Sequence, residues 1–216
     1  MINKELRNRL LSSIIIIPIT LFFIIKSSFY FFIFLTIFFL LVSFEWIKMS
    51  KTFLIRVIGI LYLFLATYLI YLLRISFPLE IFLMILIICI FTDIGGYTFG
   101  KIFKGPKLTK ISPKKTYSGV VGGYLFSIIS IFIFVKYSVI FDLGFENNFF
   151  NIDLLILLFT TSTVSQIGDL IISYFKRASK IKDTGKIIPG HGGLLDRIDG
   201  MIFAFPFGYL LLLISN

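Results

Sequence analysis

Between Phe22 and Phe44 the chain carries one charge, Lys26, in a run otherwise made of Phe, Ile, Leu, Val, one Tyr and a few small polar residues. A hydrophobic stretch of about 18 or more residues can cross a bilayer core as a helix. Comparable runs recur, and they predict seven spans near 11–26, 28–45, 53–73, 78–100, 119–140, 152–174 and 200–214. The whole chain is 58% hydrophobic, where soluble domains average roughly 45–50%. The expected fold class is all-α: a polytopic integral membrane protein with about seven transmembrane helices.

Met1 to Arg9 is basic and leads directly into the first apolar run. No small-residue cleavage site follows, so this segment is read as an uncleaved first span. Cys89 is the only cysteine and sits inside an apolar run, which excludes an intrachain disulfide and a thiolate metal site. The net charge of +10 invites a nucleic-acid reading, but its placement argues against one. With the N-terminus in the cytoplasm, all of the 21 basic residues except Lys26, Arg74 and Lys136 fall on the cytoplasmic side. The opposite loop, 141–151, holds Asp142 and Glu146 and no Lys or Arg. That asymmetry is the positive-inside pattern. It explains the basic excess by topology and removes the need for a nucleic-acid partner.

Residues 1–90 read as scaffold helices that pack together or face lipid. Residues 91–216 read as a catalytic transmembrane region with cytoplasmic loops 101–118 and 175–199, both parts forming one structural unit. The chemistry begins at Phe91–Lys101, FTDIGGYTFGK. Here Asp93 is either a snorkelling carboxylate or a functional acid, and Gly96 and Gly100 have the spacing that lets a helix approach closely. The loop after it carries six lysines over 101–115 and the run SPKKTYSGVVGG. Lysines beside the N–H groups of a helix start suit a polyphosphate, whereas a plain positive-inside loop suits anionic lipid. For Lys114, Lys115 and Thr116 both readings stay open. In the next polar span Ser165, Asp169 and Ser173 form one stripe at i, i+4 and i+8. An unpaired intramembrane carboxylate is costly, so Asp169 is read as a metal ligand in preference to an ion pair with an arginine.

The last cluster is KRASKIKDTGKIIPGHGGLLDRIDG. Gly192 and Gly193 let the backbone come close to a ligand, and a helix is predicted to begin near Leu194, with Asp196 and Asp199 on one face. With Asp169 they offer three hard oxygen ligands for Mg²⁺, and Lys176, Arg177, Lys182 and Arg197 supply positive charge. Carboxylates for metal beside cations for phosphate suit phosphoryl or nucleotidyl transfer. His191 is read as a phosphate donor or loop organiser in preference to a general base.

Ser173-Tyr-Phe-Lys176-Arg177, then Lys182-Asp183-x-Gly185, then Pro189-x-His191-Gly192-Gly193-x-x-Asp196-Arg197-x-Asp199 resembles the signature of phosphatidate cytidylyltransferases, the CDP-diacylglycerol synthases. Gly168-Asp169, Ser112-Pro113-Lys114-Lys115-Thr116 and Asp93 with Phe99-Gly100-Lys101 are similar to further features of that family, over roughly residues 90–200. One departure is Ser118, which stands where the family usually has glutamate. The resemblance implies CTP plus phosphatidate giving CDP-diacylglycerol and pyrophosphate, with Mg²⁺ and a second cation as expected cofactors. It assigns Asp169, Asp196 and Asp199 to metal, with Asp183 as a weaker candidate. Lys176, Arg177, Lys182, Arg197, Lys114 and Lys115 would bind phosphates. Thr116, Ser173, His191, Gly192 and Gly193 would complete the substrate site. It also implies a bacterial inner-membrane location, a cytoplasmic active site and, by family analogy, a homodimer.

Three other functions compete for the same residues. A CTP-dependent lipid-alcohol kinase would release CDP in place of pyrophosphate. A CDP-alcohol phosphatidyltransferase would need further spaced aspartates, and no acid follows Asp199. An ion-coupled transporter would use Asp93 and Asp169 as ion sites but would leave the His-Gly-Gly segment unexplained.

Overall fold

A backbone surrounded by lipid must satisfy its own N–H and C=O groups, and a helix does so within one segment. The apolar runs fold accordingly. A computed structural model of the protein describes residues 4–26, 28–109, 111–112, 115–140, 152–187 and 192–215. The helices among them are α1 (Lys4–Lys26), α2 (Ser28–Met49), α3 (Phe53–Ser76), α4 (Leu79–Ile102), α5 (Tyr117–Ile140), α6 (Ile152–Ala178), α7 (Leu195–Ile198) and α8 (Met201–Ser215). Among the described residues there is no strand; one isolated bridge pairs Lys107 with Thr116.

Every predicted span has its helix, and the differences lie at the ends: α1 begins at Lys4 and α6 continues to Ala178. Helices α2 to α6 each contain a segment long and apolar enough to cross a membrane, whereas Ile14–Lys26 and Met201–Ser215 are shorter apolar helices. The chain is thus an integral membrane protein with five candidate spanning helices among the described residues. It divides into two compact units, Met1–Ser76 with Phe175–Asp199, and Phe77–Tyr174 with Gly200–Asn216.

In the first unit α3 buries Gly59, Leu63, Ala66, Ile70 and Leu73. These residues recur at steps of four and three, so they form one stripe along the helix. Leu61 and Phe64, between them, are exposed, as suits a surface that meets lipid. The stripe is keyed by Gly59, against which the Trp46 indole lies so closely that a side chain there would overlap the ring. The indole N–H donates to the Ile55 carbonyl at 3.1 Å.

In the second unit α4 and α5 meet through glycine. A Cβ on Gly95 would overlap the Gly122 carbonyl oxygen, and one on Gly119 would lie 2.8 Å from the Gly96 oxygen. The sequence pointed to Gly96 and Gly100 as the close-approach pair. The tightest position on α4 is instead Gly95, which is buried, while a Cβ at Gly96 would have 3.6 Å of clearance. Interhelical hydrogen bonds tie both helices to α6: Thr92 donates to Ser162 at 2.9 Å, and Tyr124 pairs with Thr163 at 2.8 Å. Met84, Ile88, Ile131, Leu154, Leu157 and Leu158 form the apolar core of this unit.

Candidate active site

Each unit carries its own cluster of polar residues. In the first, α6 ends in a Schellman turn: Ile181 N–H reaches the Lys176 carbonyl at 3.0 Å and Lys180 N–H reaches the Arg177 carbonyl at 2.9 Å. Lys180 takes the left-handed position that glycine usually fills, with φ 58°. The four residues between Arg177 and Lys182 are thus a helix stop. Arg177 reinforces it by donating to the Ile181 carbonyl at 3.0 Å.

This turn leaves Lys176 buried. Its ammonium lies 2.8 Å from Asp196 Oδ1 and 3.8 Å from Asp199 Oδ2, so the two aspartates predicted to share a face do share a cation. The second Asp196 oxygen accepts from Thr184 N–H at 2.8 Å, from the Thr184 hydroxyl at 3.1 Å and from Gly193 N–H at 3.0 Å. Burial alone would raise the Asp196 carboxyl. The Lys176 hydrogen bond and charge, together with the Thr184 and Gly193 amides, outweigh it and hold the group below the usual carboxylate range. Gly192 has φ 88°, and a Cβ there would come within 3.1 Å of Asp196 Oδ2 and 3.5 Å of the Asp183 side chain. Only glycine combines that backbone with that proximity. Lys182, Asp183 and Arg197 are exposed. His191 and Lys114 lie outside the described residues.

One acid of this unit escaped the sequence reading. Glu45, at the end of α2, is 1% exposed and belongs to the part read as scaffold. Its carboxylate accepts from Leu194 N–H at 2.9 Å, Leu195 N–H at 2.8 Å and the Thr184 hydroxyl at 3.0 Å. The rule that an acid within an apolar run demands partners was the available signal.

In the second unit the loop before α5 is folded on itself. Leu108 N–H reaches the Lys115 carbonyl at 2.8 Å, and Tyr117 N–H reaches the Pro106 carbonyl at 3.2 Å. Thr116 then caps α5, its hydroxyl accepting from Gly119 N–H at 3.1 Å. Ser118 lies 2.9 Å from the Thr116 hydroxyl and donates to the Lys104 carbonyl, so it holds this loop in place. Lys115 forms an ion pair with Asp169 Oδ2 at 2.9 Å. An ion pair was the rival reading for Asp169, and its partner is a lysine of the preceding loop. Asp169 Oδ1 is buried without a hydrogen-bond partner among the described residues. A Cβ on Gly200 would sit 3.0 Å from that orphaned oxygen. Ser173, the last residue of the stripe, is partly buried. Lys115 and Asp169 line a cavity of about 280 Å³ together with Asp93, Thr116, Gly119 and Gln166. Among the described residues no three His, Cys, Asp or Glu side chains form a metal-ligand group.

Residues 51–215 match the cytidylyltransferase family. The chain is 34% identical over 214 residues to the phosphatidate cytidylyltransferase of Rickettsia bellii (strain RML369-C), covering 94% of this chain and 89% of the relative. It is 45% identical over 125 residues to the protein of the same name in Rickettsia conorii (56% of this chain, 53% of the relative). It is 42% identical over 116 residues to the one in Haemophilus influenzae (53% and 39%). The segment with the Lys176–Asp196 pair and the cavity with the Lys115–Asp169 pair both fall inside the matched region, and the chain belongs to the cytidylyltransferase family.

Proposed function

We infer that the chain is a phosphatidate cytidylyltransferase, a nucleotidyltransferase of phospholipid biosynthesis that converts CTP and phosphatidate into CDP-diacylglycerol and pyrophosphate. The observation that carries this reading is the pairing of carboxylates and lysines within the two segments that resemble the family signature, in a chain similar over nearly its whole length to an enzyme of that name.

An oxygen of the lipid phosphate forms a bond to the α-phosphorus of CTP. The bond from that phosphorus to the oxygen leading to the β-phosphate breaks, and pyrophosphate leaves. The lipid phosphate is already ionised near neutral pH, so no side chain has to remove a proton. What the protein must supply is charge screening and alignment. Lys115 and Lys176 are the buried or half-buried cations for this task, and Arg177, Lys182 and Arg197 the exposed ones. Lys114 and His191 are assigned to the same phosphates, and Thr116, Ser173, Asp183, Gly192 and Gly193 to substrate contact.

The Asp169 carboxylate suits a divalent cation. Asp169 Oδ1 is a buried oxygen with no hydrogen-bond donor among the described residues, an arrangement whose cost a cation would relieve. Mg²⁺ needs only one or two protein carboxylates and takes its remaining ligands from water and substrate phosphates. Asp169, Asp196 and Asp199 are the proposed ligands. Asp196 is available only through Oδ1, the oxygen that Lys176 holds, because Oδ2 is committed to Thr184 and Gly193. When bound, the metal would screen charge on the reacting phosphates. A second cation is part of the same proposal.

The basic asymmetry supports seven spans with a cytoplasmic N-terminus and a cytoplasmic site. The bacterial relatives support an inner-membrane location, and family analogy supports a homodimer. Purified protein supplied with Mg²⁺, CTP and phosphatidate should form lipid-linked CDP and pyrophosphate in equal amounts, and Asp199→Asn should abolish both. CDP release with a lipid alcohol as acceptor would establish the kinase in its place. Absence of CTP consumption beside active controls would overturn the enzyme reading.

A further inference from the structure

Glu45 has no part in the reaction as described, yet its partners all lie in the segment that carries Asp196 and Asp199. Leu194 is the N-cap of α7 and offers no side-chain hydrogen bond to the helix start. The first N–H groups of a helix have no partner inside it, and a helix of four residues is too short to be stable alone. Glu45 answers both needs by accepting from Leu194 and Leu195 N–H. Gly193 is packed against the same carboxylate: a Cβ there would stand 2.6 Å from Oε2 and 2.7 Å from Oε1.

The Thr184 hydroxyl lies 3.0 Å from Glu45 Oε2 and 3.1 Å from Asp196 Oδ2. It has one proton, so it donates to one carboxylate at a time, while Thr184 N–H and Gly193 N–H remain on Asp196. Glu45 and Asp196 therefore hold the same two stretches of chain, Thr184 and Gly193–Leu195. The end of α2 is itself tied to this segment: Trp46 packs edge-on against Phe175 at 5.0 Å, and Ser179 donates to the Met49 carbonyl at 2.6 Å.

We propose that Glu45 is a positioning residue for cytidylyl transfer. It fixes Thr184 and the start of α7 so that Lys176, Asp196 and Asp199 keep one geometry, and it does not touch substrate. The catalytic consequence rests on the function proposed above; the anchoring does not.

The test is Glu45→Gln in the purified full-length protein. Glutamine keeps the size but sets an NH₂ group against the N–H of Leu194 or of Leu195. Hydrogen–deuterium exchange should speed up at least roughly tenfold in peptides covering 192–198, with α3 peptides unchanged. The kcat for pyrophosphate release should fall roughly ten- to a hundredfold, as small misplacements do, with KM for CTP and phosphatidate within about threefold of the wild type. Adding Thr184→Val should cost little more, because both changes break one connection. Unchanged exchange at 192–198, or exchange raised throughout the protein, would overturn the proposal, the latter by making Glu45 a general packing residue. A raised KM with unchanged kcat would also overturn it. Local exchange that rises in a protein whose wild type does not turn over CTP would uphold the anchor and remove the cytidylyltransferase reading. Should Glu45→Gln not fold, Thr184→Val alone decides: a local rise in exchange with a lower kcat supports the proposal, and wild-type values for both refute it.

Discussion

The seam between α4 and α5 makes a prediction that two neighbouring glycines test against each other. A methyl group on Gly95 would overlap the Gly122 carbonyl oxygen and stand 2.8 Å from the Gly122 carbonyl carbon and 2.7 Å from Phe126 Cβ. Backbone cannot rotate out of the way, so the helices would have to separate by about 1 Å to restore ordinary contact. An opening of that size forfeits roughly a quarter or more of the dispersion energy along the seam, and overpacking of this kind costs about 1–3 kcal/mol. Against that, alanine is favoured over glycine inside a helix by about 1 kcal/mol. A methyl group on Gly96 would clear its nearest neighbour by 3.6 Å and would keep the helical gain. Gly95→Ala should therefore be less stable than Gly96→Ala by about 1–3 kcal/mol, or roughly 2–12 °C in melting temperature for a chain of this size.

Cys89 suits the assay. It is the only cysteine, it is buried, and it lies on α4 itself. A thiol-reactive fluorogenic dye, added to protein in detergent during a thermal ramp, reports when that helix opens. Activity is the wrong readout, because Gly96 lines the cavity beside Asp169. Equal melting temperatures for the two variants, or a lower one for Gly96→Ala, would refute the register of the seam.

Other expectations follow from the two clusters and from the α2–α3 packing. Asp196 is held below the usual carboxylate range, so the unfolded chain takes up a proton there before the folded one does. The stability it contributes is fully present above about pH 4 and is lost as pH falls through its depressed value. Exchange protection at 192–198 should therefore persist from neutral pH to about pH 4 and collapse only below it, and Asp196→Asn should remove that dependence. Gly59→Ala should push the Trp46 indole from its place, costing about 1–3 kcal/mol, with a changed emission maximum because Trp46 is the only tryptophan. Asp169→Asn should lower turnover at least about a hundredfold and flatten its dependence on Mg²⁺ concentration. A Mg²⁺ titration that matches the wild type would remove Asp169 from the metal site.

The helices were legible because a run of apolar residues long enough to cross a bilayer leaves the backbone little choice. The polar segment from Lys176 to Asp199 was legible because its residues are contiguous, and their spacing on a short helix puts Asp196 and Asp199 side by side. Partners distant in sequence were not. Lys115 and Asp169 are 54 residues apart, and reading Asp169 alone could say that it needed a cation or a metal but not which one. The glycine seam fell one residue from its predicted place because the spacing of small residues says that a helix can approach, while the groove of the partner decides which glycine it meets.

Glu45 shows where such reading stops. A carboxylate as buried as Glu45 is costly to leave unpaired, so the rule applied to Asp93 and Asp169 applied also to it. The rule requires donors without naming them. Two of the three donors it finds are backbone N–H groups, 149 and 150 residues further along the chain, and every residue except proline has such a group. No side chain at Leu194 or Leu195 marks them as awaiting an acceptor. They lack a partner only because a short helix begins there, and the acid that completes that helix comes from α2. The acid that orders the site is therefore invisible in the motif that resembles the family, since what it recognises is the start of a helix and not a residue type.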